Sequence, residues 1–234
     1  MKFLDIASLD PINTALVFEN PECRVVGRIE TYSCKLAGVD KKLYKHLESQ
    51  WNSDLSESVS PDHNHSLHDI ISPFGPMDQP SSRRMLFNLI ATLNASYPDY
   101  DFSDVKPDQF TKHQSVPMVC NYINNTLFNL GHAYIINNLA LWKVIDEIIE
   151  LDECSVYSFN PDNDSDPNAE DGAIWSFNFF FYNKKLKRIL FFAVKCLSIN
   201  APLQDEEPLD TFSDSGSDVI GMSYEEYVMG DIEM

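Results

Sequence analysis

Basic residues are scarce in this chain. Seventeen Lys and Arg stand against 36 Asp and Glu over 234 residues, a formal charge of -19. Such an acidic excess disfavours general attraction to nucleic-acid phosphates or anionic lipid and leaves only a local basic patch for that role. Long apolar runs are absent as well: no window holds the roughly 18 uncharged apolar residues that a spanning helix needs. The opening "MKFLDIASLDPINTALVF" carries Asp5 and Asp10 where a secretory signal requires unbroken apolar residues. The five cysteines are widely spaced and form no C-x-x-C, which fits buried thiols in a reducing compartment better than disulfides or a zinc site. Eight glycines leave little material for a phosphate-cradling loop. The G-x-S-x-G, G-x-x-x-x-G-K-[ST] and H-E-x-x-H signatures are all missing. No catalytic residue, cofactor or metal is therefore expected, and the expected location is cytosolic or nuclear.

What is present reads as one α/β domain of the α+β type, with helices flanking a central antiparallel sheet. "ECRVVGRIETYSC" (22–34) alternates as a strand, with Val25, Ile29 and Thr31 on one face and Arg24, Arg28 and Glu30 on the other. Asp10 and Pro11 open a short helix over "INTALVF". Residues 40–51 read as a helix capped by Asp40, with Leu43, Tyr44 and Leu47 on one face. Residues 1–51 thus form the N-terminal part of the domain. Residues 52–80 hold four Pro and no Lys or Arg, and read as a mobile insertion.

The domain resumes over 81–204. Leu86, Leu89, Ile90 and Leu93 form a helical stripe in 81–97, and 96–107 is an irregular connection. Helical patterns follow at about 117–130 and 133–151, the second aligning Leu141, Ile145, Ile148 and Ile149. "ECSVYSFN" (153–160) reads as a strand and "PDNDSDPNAEDG" (161–172) as an acidic loop. Residues 205–234 carry ten acidic and no basic residues, and read as a disordered tail. Removing those ten charges takes -19 to -9 for the remainder.

The densest apolar stretch is "WSFNFFFYNKKLKRILFF" (175–192). Trp175, Phe177, Phe179 and Phe181 share one strand face, and Phe180 and Tyr182 share the other. Asn183 and its two lysines form the tip of an antiparallel hairpin, whose charges exclude a membrane span. Burying such side chains contributes roughly 1.5–3 kcal/mol each, so this hairpin is the expected centre of the core.

Several motifs have a chemical and a plain reading. "DNDSD" (162–166) has alternate carboxylates like a calcium loop, but Pro167 and Ala173 occupy the sites that need Gly and Glu, so it reads as a solvated loop. His63, His65 and His68 lie in the insertion, which would have to order itself before chelating a metal. Cys34 beside Lys35 reads as a buried strand thiol. Lys184, Lys185, Lys187 and Arg188 form a candidate nuclear-import signal at an exposed tip. Ser60 and Ser72, each followed by Pro, and Ser215 and Ser223, in acidic surroundings, are candidate phosphorylation sites. If the first strand and the aromatic strand share a sheet, Lys35 is expected to meet Asp164, Asp166 or Asp171.

Three stretches, "GRIETYSCK" (27–35), "YSFNPDNDSDPNAEDG" (157–172) and the aromatic hairpin (175–192), resemble in order and layout the signature boxes of the eukaryotic Maf family of RNA polymerase III repressors. The resemblance covers roughly residues 1–50 and 81–200. It implies a non-enzymatic protein that shuttles between nucleus and cytoplasm and binds the polymerase clamp region and initiation subunits. Recruitment to promoter-bound initiation factor is thereby blocked, lowering transfer-RNA and 5S ribosomal-RNA synthesis, without direct DNA binding and without a membrane. It further implies nutrient-responsive (TOR-pathway) inactivation by phosphorylation, hence kinases, a phosphatase and import and export receptors as partners. The family's basophilic R-R-x-S site has no counterpart here, because Arg83 and Arg84 follow Ser81 and Ser82; Ser60 and Ser72 take its place as candidates. Arg28, Glu30 and Lys35, with the acidic loop, are candidate contacts between boxes or with partners. The competing classes are an acidic nuclear scaffold or chaperone, and a cysteine- or metal-dependent hydrolase.

Overall fold

The computed structural model describes residues 1–35, 38–58, 72–162 and 166–201. Among these, seven strands form one antiparallel sheet: β1 (Lys2–Phe3), β2 (Val17–Glu19), β3 (Cys23–Ser33), β4 (Phe110–Lys112), β5 (Cys154–Phe159), β6 (Ala173–Asn183) and β7 (Arg188–Ser198). The order is β1-β3-β7-β6-β5-β4, with β2 also on the outer edge of β3. Six helices accompany them: α1 (Asp10–Ala15), α2 (Gly38–Ser58), α3 (Pro80–Ser96), α4 (Val116–Asn129), α5 (Tyr134–Asn137) and α6 (Leu141–Ile149). The result is the expected α+β architecture.

The alternation of the strands decides the layers. Phe177, Phe179, Phe181, Leu190 and Phe192 face Ile12 of α1, Ile123 of α4 and Ile145 of α6, together with Val25 and Ile29. From the opposite face Phe180, Ile189, Phe191 and Tyr32 meet Leu47 of α2 and Leu86, Leu89 and Leu93 of α3. Because successive strand residues point to opposite sides, a run apolar at every position needs a cover on both. The helices supply it, and Phe180, Phe181, Phe191 and Phe192 are fully buried.

The outer edge of β3 is closed along its length. β2 covers Arg24–Val26, β1 covers Tyr32–Ser33 and the Leu4 N–H donates to the Thr31 carbonyl. Between them the Leu16 carbonyl accepts from the Gly27 N–H at 3.0 Å, and the Asn13 side-chain amide bonds both the N–H and C=O of Ile29 at 2.7 and 3.0 Å. A Cβ on Gly27 would stand 3.1 Å from Leu16 Cβ and 3.2 Å from Val194 Cγ2, so a larger residue there would have to push these neighbours aside by a few tenths of an ångström.

Several boundaries differ from the sequence reading. α1 stops at Ala15, and Val17–Glu19 leaves it as a strand because β3 offers an open edge there. α2 starts two residues before Asp40 and runs to Ser58, past the expected end at 51. Asp40 is therefore a first-turn carboxylate rather than a cap, and it pairs with the Met1 amino group. The expected helix over 133–151 is two helices, because Ala140 takes a left-handed conformation (φ 50°) that redirects α6 onto the sheet. The three-residue strand β4 is too short to leave a period.

Residues 72–80, expected within the insertion, pack on the folded body. Phe74 lies 5.7 Å from the ring of Phe110 and 5.3 Å from that of Tyr157, Met77 is buried, and Arg83 Nε donates to the Met77 carbonyl at 2.7 Å. Residues 59–71 lie outside the described residues. Replacing 59–71 by a short linker is expected to shift the melting temperature by less than about 3 °C, since loop-closure entropy varies slowly with length. Extending the deletion through Gln79 removes Phe74 and Met77 and is expected to cost about 2–5 kcal/mol, or roughly 10 °C. Equal melting temperatures for the two deletions would contradict this packing.

Candidate functional site

Arg28 and Glu30 project from the same face of β3 toward the end of α3, one on each side of Ser96. The Arg28 guanidinium donates to Ser96 Oγ at 3.0 Å and to the Ser96 carbonyl at 3.3 Å, and its Nε lies 3.2 Å from Glu30 Oε1. The Ser96 hydroxyl donates to Glu30 Oε2 at 2.5 Å, and the Tyr32 phenol donates to the same oxygen at 2.9 Å. The guanidinium carbon stands 4.5 Å from the centre of the Tyr97 ring, whose hydroxyl donates to the buried Asn178 Oδ1 at 3.2 Å. One network thus ties β3 and β6 to α3. Burial is the first cause that pushes both the Tyr32 and Tyr97 phenols above their ordinary range.

The hairpin tip divides its charges between structure and surface. Arg188 Nη1 donates to the Ile148 carbonyl at 2.7 Å, and Asn183 Nδ2 donates to the Ile149 carbonyl at 2.8 Å, so both satisfy the C-terminal end of α6. Asn183 Oδ1 accepts the Leu186 N–H at 3.0 Å, closing the turn. Lys185 lies 2.7 Å from Glu153 in an exposed pair of small energetic weight. Lys184 and Lys187 are exposed, with no carboxylate within ion-pair distance among the described residues.

Among the described residues Lys35 meets neither Asp166 nor Asp171. β3 and β7 run antiparallel with Ser33 opposite Arg188 and Cys23 opposite Ser198, and β6 leaves the loop at the Cys23 end. Lys35 follows Ser33, so Asp166 and Asp171 lie about ten residues, roughly 30 Å, away along the sheet. The strands share a sheet as expected, but the register places the two segments at opposite ends. Asp166 instead accepts the Asn168 N–H at 2.8 Å, and Glu170 pairs with Lys195 of β7. Asp164 lies outside the described residues, as do Ser60, Ser215, Ser223, His63, His65 and His68. Ser72 is half-buried in a turn; its hydroxyl donates to Met77 Sδ at 3.3 Å and accepts the Phe74 N–H at 3.2 Å.

Four of the five thiols are held in the protonated, unreactive form. Burial pushes Cys34, Cys154 and Cys196 up to about 12 and Cys120 up to about 11, opposite to what a thiolate nucleophile requires. Among the described residues no three His, Cys, Asp or Glu side chains converge to hold a metal ion.

A family model described as the Maf1 regulator matches residues 25–193. The chain belongs to the Maf1 regulator family. Among its curated relatives, the repressor of RNA polymerase III transcription maf1 of Schizosaccharomyces pombe is 42% identical, covering 92% of this chain and 97% of the relative. The repressor of RNA polymerase III transcription of Dictyostelium discoideum is 33% identical over 99% of this chain and 97% of its own. Two crystal structures of citrus MAF1 match with TM-scores of 0.59 and 0.61 at 39% and 37% identity, covering 81% and 82% of this chain and 98% and 97% of theirs. The Maf1 match contains the β3 network, the acidic loop and the hairpin tip.

Sequence reasoning singled out Arg28 and Glu30 but missed Ser96, Tyr97 and Asn178. A serine and a tyrosine at a helix end carry no periodic signal until β3 is known to lie beneath them.

The thiols also set a pH dependence. Below about pH 8.5 folded and unfolded chains both retain the thiol protons; above it the unfolded chain loses them first. Stability is therefore intact below that pH and lost as pH rises toward 12, with the buried phenols acting in the same direction. The urea midpoint is expected to fall between pH 7.5 and 10.5, and a constant midpoint would contradict the burial of these protons.

Proposed function

We propose that this chain represses RNA polymerase III transcription by binding the polymerase directly and blocking its recruitment to promoter-bound initiation factor. The observation that carries this reading is the end-to-end likeness to the fission-yeast repressor, 42% identical over 97% of that protein's length. A charge of -19 supports a protein partner rather than DNA, since the exposed lysines of one hairpin tip are a small footprint for a duplex. Four thiols held protonated support binding rather than catalysis. Contacts fall on the polymerase clamp region and initiation subunits, and the folded domain acts by occupying surface that the initiation factor needs.

Phosphorylation at Ser60 and Ser72 switches repression off, each phosphate adding about -1.5 to -2 of charge. At Ser72 phosphorylation esterifies Oγ, removes the proton it donates to Met77 Sδ and places a dianion in the half-buried turn, loosening Phe74 from Phe110 and Tyr157. Regulated shuttling between nucleus and cytoplasm uses the hairpin tip as an import signal and requires kinases, a phosphatase and import and export receptors.

The test is transcription of a transfer-RNA gene by purified polymerase III and its initiation factors. Protein added before initiation is expected to inhibit, whereas polymerase already cycling on its template is expected to resist. A Ser60→Glu, Ser72→Glu variant is expected to inhibit weakly at either stage. Equal inhibition of cycling and uninitiated polymerase would overturn the recruitment block. For the import signal, Lys184→Ala with Lys187→Ala leaves the structural roles of Arg188 and Asn183 intact and is expected to keep the protein cytoplasmic. Undiminished nuclear accumulation of that variant would move the signal elsewhere.

A further inference from the structure

The two long strands flanking β7 treat their outer edges differently. The outer edge of β3 is closed by β1, β2, Leu16 and the Asn13 amide. β6 is paired on its outer side only from Phe179 to Asn183, because β5 ends near Phe159. From Ala173 to Asn178 its outer edge has no strand partner among the described residues, and Ala173 alone makes a backbone bond there, to the Glu170 carbonyl. A bulge between Ala173 and Trp175 leaves Trp175–Asn178 as the regular part of that edge. Such an edge presents unused N–H and C=O groups as a template for another strand.

Beside this edge lies a groove of about 410 Å³, walled by α4, the end of β5 and β6 itself. Its apolar wall is Met118, Tyr122, Phe177 and Phe179; the Tyr122 ring centre stands 5.8 Å from each phenylalanine ring. Met118 and Tyr122 remain 46% and 52% exposed although they border buried aromatics. At the β5 end, His113 Nε2 and Ser158 Oγ are 2.9 Å apart, and burial lowers the His113 pKa, so this wall is uncharged at neutral pH. The loop from β5 to β6 borders both ends of this edge and carries Asp162, which accepts from Gln109 Nε2 at 2.9 Å, Asp166, which accepts the Asn168 N–H, and the exposed Asp171.

We propose that this edge and groove form a β-addition site for a short extended peptide of a partner protein, with a large aliphatic residue in the groove and basic residues flanking it. The backbone of Trp175–Asn178 selects an extended strand, the aromatic wall selects the apolar side chain, and the bordering carboxylates select the basic flanks. A second copy of this chain is disfavoured as occupant, because two-fold pairing would bring the acidic loops of two chains at -19 toward each other. The inference rests on strand pairing and charge, and stands apart from the polymerase assignment.

The test uses the full chain and a fluorescein-labelled nonapeptide, Arg-Thr-Val-Thr-Leu-Thr-Val-Thr-Arg, followed by anisotropy. Saturable binding is expected, weakened about ten-fold or more by Met118→Glu and by replacing both terminal Arg with Glu. Two further probes carry backbone N-methyl groups on alternate residues. A strand added edge-on loses binding in one alternation and retains it in the other, because only one edge of the peptide meets β6. Absence of saturable binding, indifference to Met118→Glu or to the end charges, or equal behaviour of the two N-methyl probes would overturn the proposal. Self-association of the chain abolished by Met118→Glu, seen by sedimentation velocity, would assign the edge to a second copy and also overturn it.

Discussion

The rest of this structure depends on the burial of one hairpin on both faces. β6 and β7 are apolar at nearly every position through Phe179–Phe181 and Ile189–Val194, so neither side can be left to water. Each of these large side chains contributes about 1.5–3 kcal/mol on burial, relative to exposure. α3 and α2 cover one face, and α1, α4 and α6 cover the other. The surface available to partners is consequently what the two covers leave: strand edges, the hairpin tip and the outer sides of the helices.

The same constraint governs where the scarce positive charge goes. Arg28 is held between Ser96, Glu30 and the Tyr97 ring, Arg188 satisfies the end of α6, and Lys195 pairs with Glu170. The two arginines join covering helices to the sheet and Lys195 ties down the β5–β6 loop, and losing one would leave partly buried polar groups without partners. The buried Asn183 has the same task and is satisfied from both ends of its amide. Lys184, Lys185 and Lys187 remain exposed together at the tip.

The central sheet was legible in the sequence because strand alternation is a local signal. Val25, Ile29, Phe177, Phe179 and Phe181 each occupy the face their spacing assigns. The failures share a cause: long-range pairing that local pattern does not encode. α1 ends early because β3 needs an edge partner, and the end of α2 was obscured because its last turns are written in Ser, Asp and Glu. Phe74 and Met77 looked like isolated apolar residues in a Pro-rich stretch until Phe110 and Tyr157 were placed beneath them. Lys35 and the acidic loop were expected together because both flank strands of one sheet, yet register separates them. Ser96 and Tyr97 joined the Arg28 network only once α3 was seen to end above β3.

Under the proposed function the folded domain recognises the polymerase itself rather than its template. Equilibrium binding of the purified chain to immobilised RNA polymerase III, with no nucleic acid present, tests this most directly. Saturable binding that adding template leaves no tighter is the predicted result. Absence of binding, or binding that appears only when DNA is supplied, would contradict it.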